Sequence, residues 1–357
     1  MYILDRAVGL WQSRAVVPPK RRRCALALAG GGVVGGMYQV GALAALEERL
    51  EGACNFEIYV GCSAGSTVAS ILANGVSAAE IYRIVDQDLS DPLNFRRNAV
   101  YGGDSFRRAC GSFGRLMWAV GKNAMTGLRG SIPDMLARAE RDLPSGFFSL
   151  TALERWIREM FAARGLSNAF PEVPHTLLIP AIDLDRAERV VFGQGELRNV
   201  PVSQAIAASS AIPGFFEPYT LEGRDYVDGG VGFCGHADLA VQAGADTVVV
   251  INPLVPSLLD GAASMRSRGL YTIMEQASRI YSQNLLQLGL ATLSVQHPQT
   301  NFFLLQPPRV DTPLFGPCMG FEASRAALRF GYTSTREWLE THGHPLLQRF
   351  VAIPQAA

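Results

Sequence analysis

The sequence predicts an α/β fold built around a mostly parallel sheet. Short apolar runs that stop at glycine or at Asn-Pro alternate with segments of helical periodicity, and strand–helix alternation of this kind marks a parallel sheet. The chain has 357 residues, 48% of them hydrophobic and only 18% charged, enough apolar material for a sizeable core. At about 150 residues per domain, that length fits two domains or one large α/β domain with insertions.

The elements follow in order. Residues 1–21 show little pattern, contain Pro18-Pro19 and read as an arm. Cys24 to Ala29 is a buried strand that stops at glycine. Gly30 to Gly36 reads as a loop, because each glycine in a helix interior costs about 1 kcal/mol relative to alanine. Tyr38 to Leu50 is then a helix, Phe56 to Val60 a second strand, and Ser66 to Ala73 a helix that stops near Asn74-Gly75. Leu177–Ile182 and Arg189–Phe192 are strands joined by a polar turn, and Leu221–Tyr226 is a hairpin leading to Asp228. Thr247–Ile251 is a buried β-branched strand. Leu270, Ile273, Met274, Ala277, Ile280 and Tyr281 recur at helical spacing. Phe302–Leu305 is a late strand and Ala323–Leu339 a late helix. Residues 106–148 interleave aromatics with cations. Two readings fit them: a helical insertion packed on the core, or a lid or membrane-facing patch.

Composition excludes several classes. Lys plus Arg and Asp plus Glu both total 32, so the formal charge is zero, against the basic excess that nucleic-acid binding needs. The six cysteines form no C-x-x-C pair, and no histidine lies at metal-ligand spacing to them; reduced thiols and a cytoplasmic protein are the expectation. No secretory signal is read at the N-terminus. Cys24 to Leu46 carries no charge and has the length of a membrane span, but its six glycines argue for two short elements. Lys20 to Arg23 read as a solvated cap; as a contact with an anionic membrane they would contribute about 1 kcal/mol each, which suits transient peripheral docking.

Three motifs carry chemistry. Gly61-Cys62-Ser63-Ala64-Gly65 is a G-x-S-x-G pattern between a strand and a helix, where a tight turn exposes a serine hydroxyl. Gly61 and Gly65 let the chain bend without a Cβ clash. The glycine run can aim several backbone N–H groups at one point, as an oxyanion hole requires. Gly30, Gly32 and Gly35 also satisfy G-x-G-x-x-G, the dinucleotide fingerprint. That reading needs an acidic residue at the end of the next strand, where Val60-Gly61-Cys62 stands. Val227-Asp228-Gly229-Gly230 supplies a carboxylate that could serve a serine nucleophile. The histidines at 175, 236, 297, 342 and 344 offer no clear base; His342 and His344 lie in a surface-like turn.

Taken together, Cys24-Ala-Leu-Ala-Leu-Ala-Gly-Gly-Gly, the G-x-S-x-G at 61, Pro180-Ala-Ile-Asp-Leu-Asp185, Ala208-Ser-Ser-Ala-Ile-Pro-Gly214 and Asp228-Gly-Gly230 resemble the patatin-like phospholipase family, in that family's order. The resemblance implies a three-layer sandwich with helices on both faces of the sheet. It implies a catalytic core over 22–255, with the 106–148 segment inserted and a helical extension over 256–357 packed on it. It implies a Ser63–Asp228 dyad with no histidine required. Gly30, Gly31, Gly32, Val33 and Gly35 would form the oxyanion hole, and Gly61 and Gly65 the nucleophile elbow. The expected activity is hydrolysis of lipid carboxyl esters, of phospholipase A or lysophospholipase type, with a general carboxylesterase or acylglycerol lipase as alternative. The partner is then a lipid; no metal or organic cofactor is implied, and oligomeric state stays open. Two departures stand out. The family's usual cation in the glycine loop is Val34, and the turn after Gly230 is Val231-Gly-Phe-Cys-Gly-His236. They are the support for a rival, a lipid-binding protein that kept the fold without catalysis. His236 reads as structural or as an auxiliary site residue, and the Ala208–Gly214 segment as a helix end that shapes the pocket floor.

Overall fold

A computed structural model describes residues 23–50, 56–95, 145–231, 235–259, 264–308 and 323–351, with isolated positions at 111, 114, 117, 118, 121, 122 and 314. The strands are β1 (Cys24–Leu28), β2 (Ile58–Gly61), β3 (Thr176–Asp183), β4 (Glu188–Phe192), β5 (Tyr219–Leu221), β6 (Arg224–Asp228), β7 (Thr247–Ile251) and β8 (Asn301–Leu305). They form one sheet in the order β5-β6-β3-β2-β1-β7-β8, with β4 also paired to β3. The pairs β1–β2, β1–β7, β2–β3 and β7–β8 are parallel; β3–β4, β3–β6 and β5–β6 are antiparallel. The predicted α/β class and mostly parallel sheet therefore hold.

Helices cover both faces. They are α1 (Gly32–Arg49), α2 (Ala64–Ala73), α3 (Ala78–Asp86), α4 (Thr151–Arg164), α5 (Val202–Ser209), α6 (Ala237–Gln242), α7 (Leu270–Gln296), α8 (Ser324–Thr341) and α9 (His344–Val351). Successive strand side chains point to opposite faces. In β1, Leu26 and Leu28 join one apolar cluster with residues of α1–α5 and α8, while Ala25 and Ala27 join a second with Ala237, Leu239, Leu286 and Leu293. β1 and β7 are buried on both sides, which explains their uninterrupted apolar sequence.

The glycine run departs from its expected loop conformation. Only Gly30 and Gly31 stand outside regular structure, and α1 begins at Gly32, six residues before the expected start at Tyr38. Packing overrides helix propensity here. A Cβ on Gly35 would lie 3.0 Å from the Pro253 ring, and one on Gly36 3.5 Å from Ala64 Cβ in α2. Gly31 and Gly32 take φ of 141° and 62°, which glycine adopts without a Cβ penalty. Farther along, Gly41 meets the backbone of α8 at Leu328, and Gly331 of α8 meets Tyr38. The 256–357 region is thus tied to the core through this close helix crossing, and through β8, which extends the same sheet. The expected membrane-span length at Cys24–Leu46 is a strand followed by a helix; among the described residues no helix is long and apolar enough to cross a membrane.

Most of the 106–148 segment lies outside the described residues. Among its described positions, those at 111, 114, 117, 118, 121 and 122 are helical and exposed, with Lys122 over the Trp118 ring. Of Lys20 to Arg23, only Arg23 is described: its side chain bonds Glu57 Oε2 and the Ala243 carbonyl, which makes it a structural clasp.

Candidate functional site

Ser63 sits between β2 and α2 with φ 54° and ψ −129°. A non-glycine residue at positive φ stores strain that its surroundings must hold. Several bonds hold it. The Cys62 N–H donates to the Leu28 carbonyl (3.0 Å), and the Gly65 and Ser66 N–H groups close onto the Cys62 and Ser63 carbonyls (2.9 and 2.8 Å). The Ser63 N–H donates to Ser209 Oγ (3.0 Å), and Ser209 Oγ–H donates to the Pro180 carbonyl (2.7 Å). The bend needs its flanking glycines. A Cβ on Gly61 would fall 2.5 Å from the Gly65 carbonyl oxygen, and one on Gly65 2.6 Å from the Leu28 and Ala29 carbonyl oxygens.

Asp228 ends β6, where β3 and the Ala211 carbonyl fix its backbone. Its Oδ1 accepts from the Gly230 N–H (2.8 Å) and from the Cys62 thiol (3.7 Å). Burial pushes the Asp228 carboxyl above its ordinary range, and hydrogen bonds from the Ser63 hydroxyl, the Gly230 N–H and the Cys62 thiol pull it part of the way back. Residues 165 positions apart in sequence thus share one buried hydrogen-bonding cluster.

The glycine run divides. Gly30 backs the serine: a Cβ there would lie 3.1 Å from Ser63 Cβ. Gly32 and Val33 line the same cleft as Ser63, at the first turn of α1, whose leading N–H groups precede the first intrahelical bond. That first bond runs from the Gly35 N–H to the Gly31 carbonyl (3.0 Å), so Gly35 is not in the donor array expected of it; it packs on Pro253 instead. Val34 is buried in the main core cluster.

The cleft beside Ser63 encloses about 800 Å³, part of it open to solvent. Its walls come from α1 (Met37, Val40), α2 (Val68, Ile71), α3 (Ile81, Val85), Leu93, Phe95, α4 (Leu153, Trp156) and the Ile212–Phe216 turn. None of these described lining side chains is charged; Ser63, Thr67 and Ser210 are the hydroxyls among them. The predicted role of the Ala208–Gly214 segment as pocket floor holds for Ser210 and Ile212. Sequence reasoning missed Ser209, which serves the elbow from the neighbouring position, and Cys62, whose thiol faces Asp228. Each stood inside a motif already singled out, but nothing in the sequence gave it a partner.

His236 is fully buried at φ 43°. Its Nε2–H donates to the Gly229 carbonyl (3.1 Å), leaving Nδ1 to accept from Arg189 (3.3 Å), which also forks onto Asp238 (3.1 and 2.6 Å). Burial and the Arg189 charge lower its pKa to about 4, so the ring is neutral at pH 7. Of its two readings the structural one fits: it holds the turn after Asp228. His342 is exposed and bonds Thr341, away from the cleft. The acidic residue that a dinucleotide would need is also absent from the end of β2: Glu57 lies before the strand and pairs with Arg23.

YqhO of Bacillus subtilis (strain 168) is 26% identical over 211 residues, 56% of this chain and 61% of its own length. Three solved structures align with 13–17% identity: VipD from Legionella pneumophila (TM-score 0.39; 90% of this chain, 67% of that one), the type III effector ExoU (0.40; 93% and 54%), and human GIVD cytosolic phospholipase A2 in complex with a fluorophosphonate (0.37; 92% and 59%). The chain therefore spans roughly half to two thirds of the length of these relatives. A family model described as patatin-like phospholipase matches residues 26–233, more than half of the chain. The chain belongs to the patatin-like phospholipase family.

Proposed function

We propose that the protein is a serine acyl hydrolase that cleaves carboxyl esters of lipids, of phospholipase A or lysophospholipase type. One observation carries this reading: a strained serine at the wall of an apolar cleft lies beside a buried carboxylate, to which the thiol of the adjoining Cys62 is bonded.

An acyl chain fills the cleft and brings its ester carbonyl to Ser63. Asp228 takes the hydroxyl proton as Ser63 Oγ attacks, since burial makes it a stronger base than an exposed carboxylate. The amides at Gly31, Gly32 and Val33 hold the developing oxyanion, and the N-terminus of α2 adds favourable potential. Asp228 passes the proton to the leaving alcohol. It then activates water, which hydrolyses the acyl-enzyme and returns the proton to Ser63.

The uncharged lining favours recognition of the acyl chain over the head group. That supports a second reading, in which neutral acylglycerols or simple carboxyl esters are hydrolysed as well as phospholipids. A fluorophosphonate probe should label the wild type and fail to label Ser63→Ala. Mass spectrometry of products released from mixed lipids by the two proteins then separates the substrate classes. Labelling that persists in Ser63→Ala, or lipid binding with no ester hydrolysis at any chain length, would overturn the catalytic reading.

A further inference from the structure

Helix α7 spans 27 residues, about 40 Å at 1.5 Å per residue. One face packs on the sheet through Gln283, Leu286 and Leu293, all buried. The opposite face carries Leu270, Met274, Ala277, Tyr281, Asn284, Leu288, Ala291 and Val295, every one exposed. Their spacing is 4-3-4-3-4-3-4, the seam of a two-helix coiled coil sustained over the whole helix. Ile273 and Ile280 flank it.

The seam is self-complementary. Apart from Leu270 at the helix start, small residues occupy one position of the repeat (Ala277, Asn284, Ala291), and large ones occupy the other (Met274, Tyr281, Leu288, Val295). If a second α7 runs antiparallel about a two-fold axis between residues 282 and 283, Leu270 meets Val295, Met274 meets Ala291, Ala277 meets Leu288, and Tyr281 meets Asn284. In three of these four pairs a large side chain faces a small one. The fourth joins two aliphatics at the helix ends. The two polar side chains fall together near the axis, where a buried polar residue fixes register. An isologous two-fold contact requires this reciprocity.

Charge and area agree. Glu275 and Arg279 pair with each other away from the seam, and no Asp, Glu, Lys or Arg follows until Arg309, so two copies meet without like-charge repulsion. The seven large apolar side chains on this helix are 41–82% exposed. Together they present on the order of 800 Å², about what each partner gives to a standard interface and more than a monomer ordinarily exposes in one patch. An interfacial membrane helix would instead carry Lys and Arg beside its apolar face, and this face has none.

We propose that the outer face of α7 is the interface of an antiparallel homodimer of this chain. Sedimentation of the full-length protein at micromolar concentration should give twice the monomer mass. Leu288→Glu and Tyr281→Glu should each return it to monomer with an unchanged circular dichroism spectrum. Under mild oxidation the double variant Ala277→Cys/Leu288→Cys should form a 277–288 cross-link between chains, mapped by mass spectrometry, and Ala277→Cys alone should form none between its own copies. A monomeric wild type, a dimer that survives Leu288→Glu, or a 277–277 cross-link would overturn the proposal. So would a wild-type monomer whose binding to phosphatidylcholine vesicles is lost in Leu288→Glu, which would assign the face to lipid.

Discussion

Ser209 and Ser210 are adjacent serines in one motif, and the structure gives them different work. Ser209 Oγ accepts from the strained Ser63 N–H and donates to the Pro180 carbonyl; Ser210 faces the cleft. Ser209→Ala removes both bonds in a place closed to water. A typical hydrogen bond contributes about 1 kcal/mol net, and a buried donor left unpaired costs about 1–3 kcal/mol. The expected destabilisation is about 2–3 kcal/mol, which at roughly 2–4 °C per kcal/mol lowers Tm by on the order of 5 °C. Ser63 also loses the bond that holds its backbone at φ 54°. A nucleophile displaced by about 1 Å can lose 100-fold in rate, so kcat should fall by about 10–100-fold, with KM little changed because the cleft walls remain. Thermal and urea unfolding, with hydrolysis of a chromogenic acyl ester, measure both quantities. Ser210→Ala is the comparison and should stay within about 0.5 kcal/mol of wild type. If Ser209→Ala matches Ser210→Ala in Tm and in kcat, the elbow does not depend on this contact and the reasoning fails.

Further expectations follow from the same geometry. Asp228→Asn should abolish turnover while leaving the protein at least as stable at pH 7. Burial raises the native carboxyl's pKa, so its ionisation costs stability as pH rises through the folded value, and the neutral amide removes that cost while still accepting from Gly230. The wild-type rate should also rise with pH along a limb that lies above the ordinary carboxylate range. For His236 the sign is opposite. Its pKa is lowered to about 4, so the stability it gives is present above about 6.5 and is lost as pH falls towards 4, on the order of 3 kcal/mol in all. His236→Asn, which tolerates the left-handed backbone, should flatten that part of the pH–stability curve in urea titrations. Gly331→Ala should cost about 1–3 kcal/mol or more by urea unfolding, because its Cβ would meet the α1 backbone at Tyr38.

Much of the site was legible because its parts are local. The bend at Gly61–Gly65 needs small residues within five positions, so the strained turn that carries Ser63 is written in one stretch of sequence. The strands β1 and β7 announce themselves because burial on both faces leaves them almost wholly apolar. The glycine run was harder to read. Helix propensity alone argued for a loop, and α1 starts at Gly32 with Pro253, more than 200 residues away, packed where side chains on Gly31 and Gly35 would stand. Tertiary contacts also separate glycines that look alike in sequence: Gly30 backs the serine, Gly32 lines the cleft, and Gly35 closes the first turn.

The sequence by itself determined the α/β class, most of the strands and the sharp bend at Gly61–Gly65, and it offered Ser63 and Asp228 for the proposed chemistry, since each rests on patterns a few residues long. Only the tertiary structure decided which neighbouring groups hold them: Ser209 on the elbow, Cys62 on Asp228, and His236 with Arg189 behind Gly229. These contacts join residues that chain distance leaves unrelated, and a hydrogen bond exists only once packing has brought donor and acceptor within about 3 Å and excluded water from both.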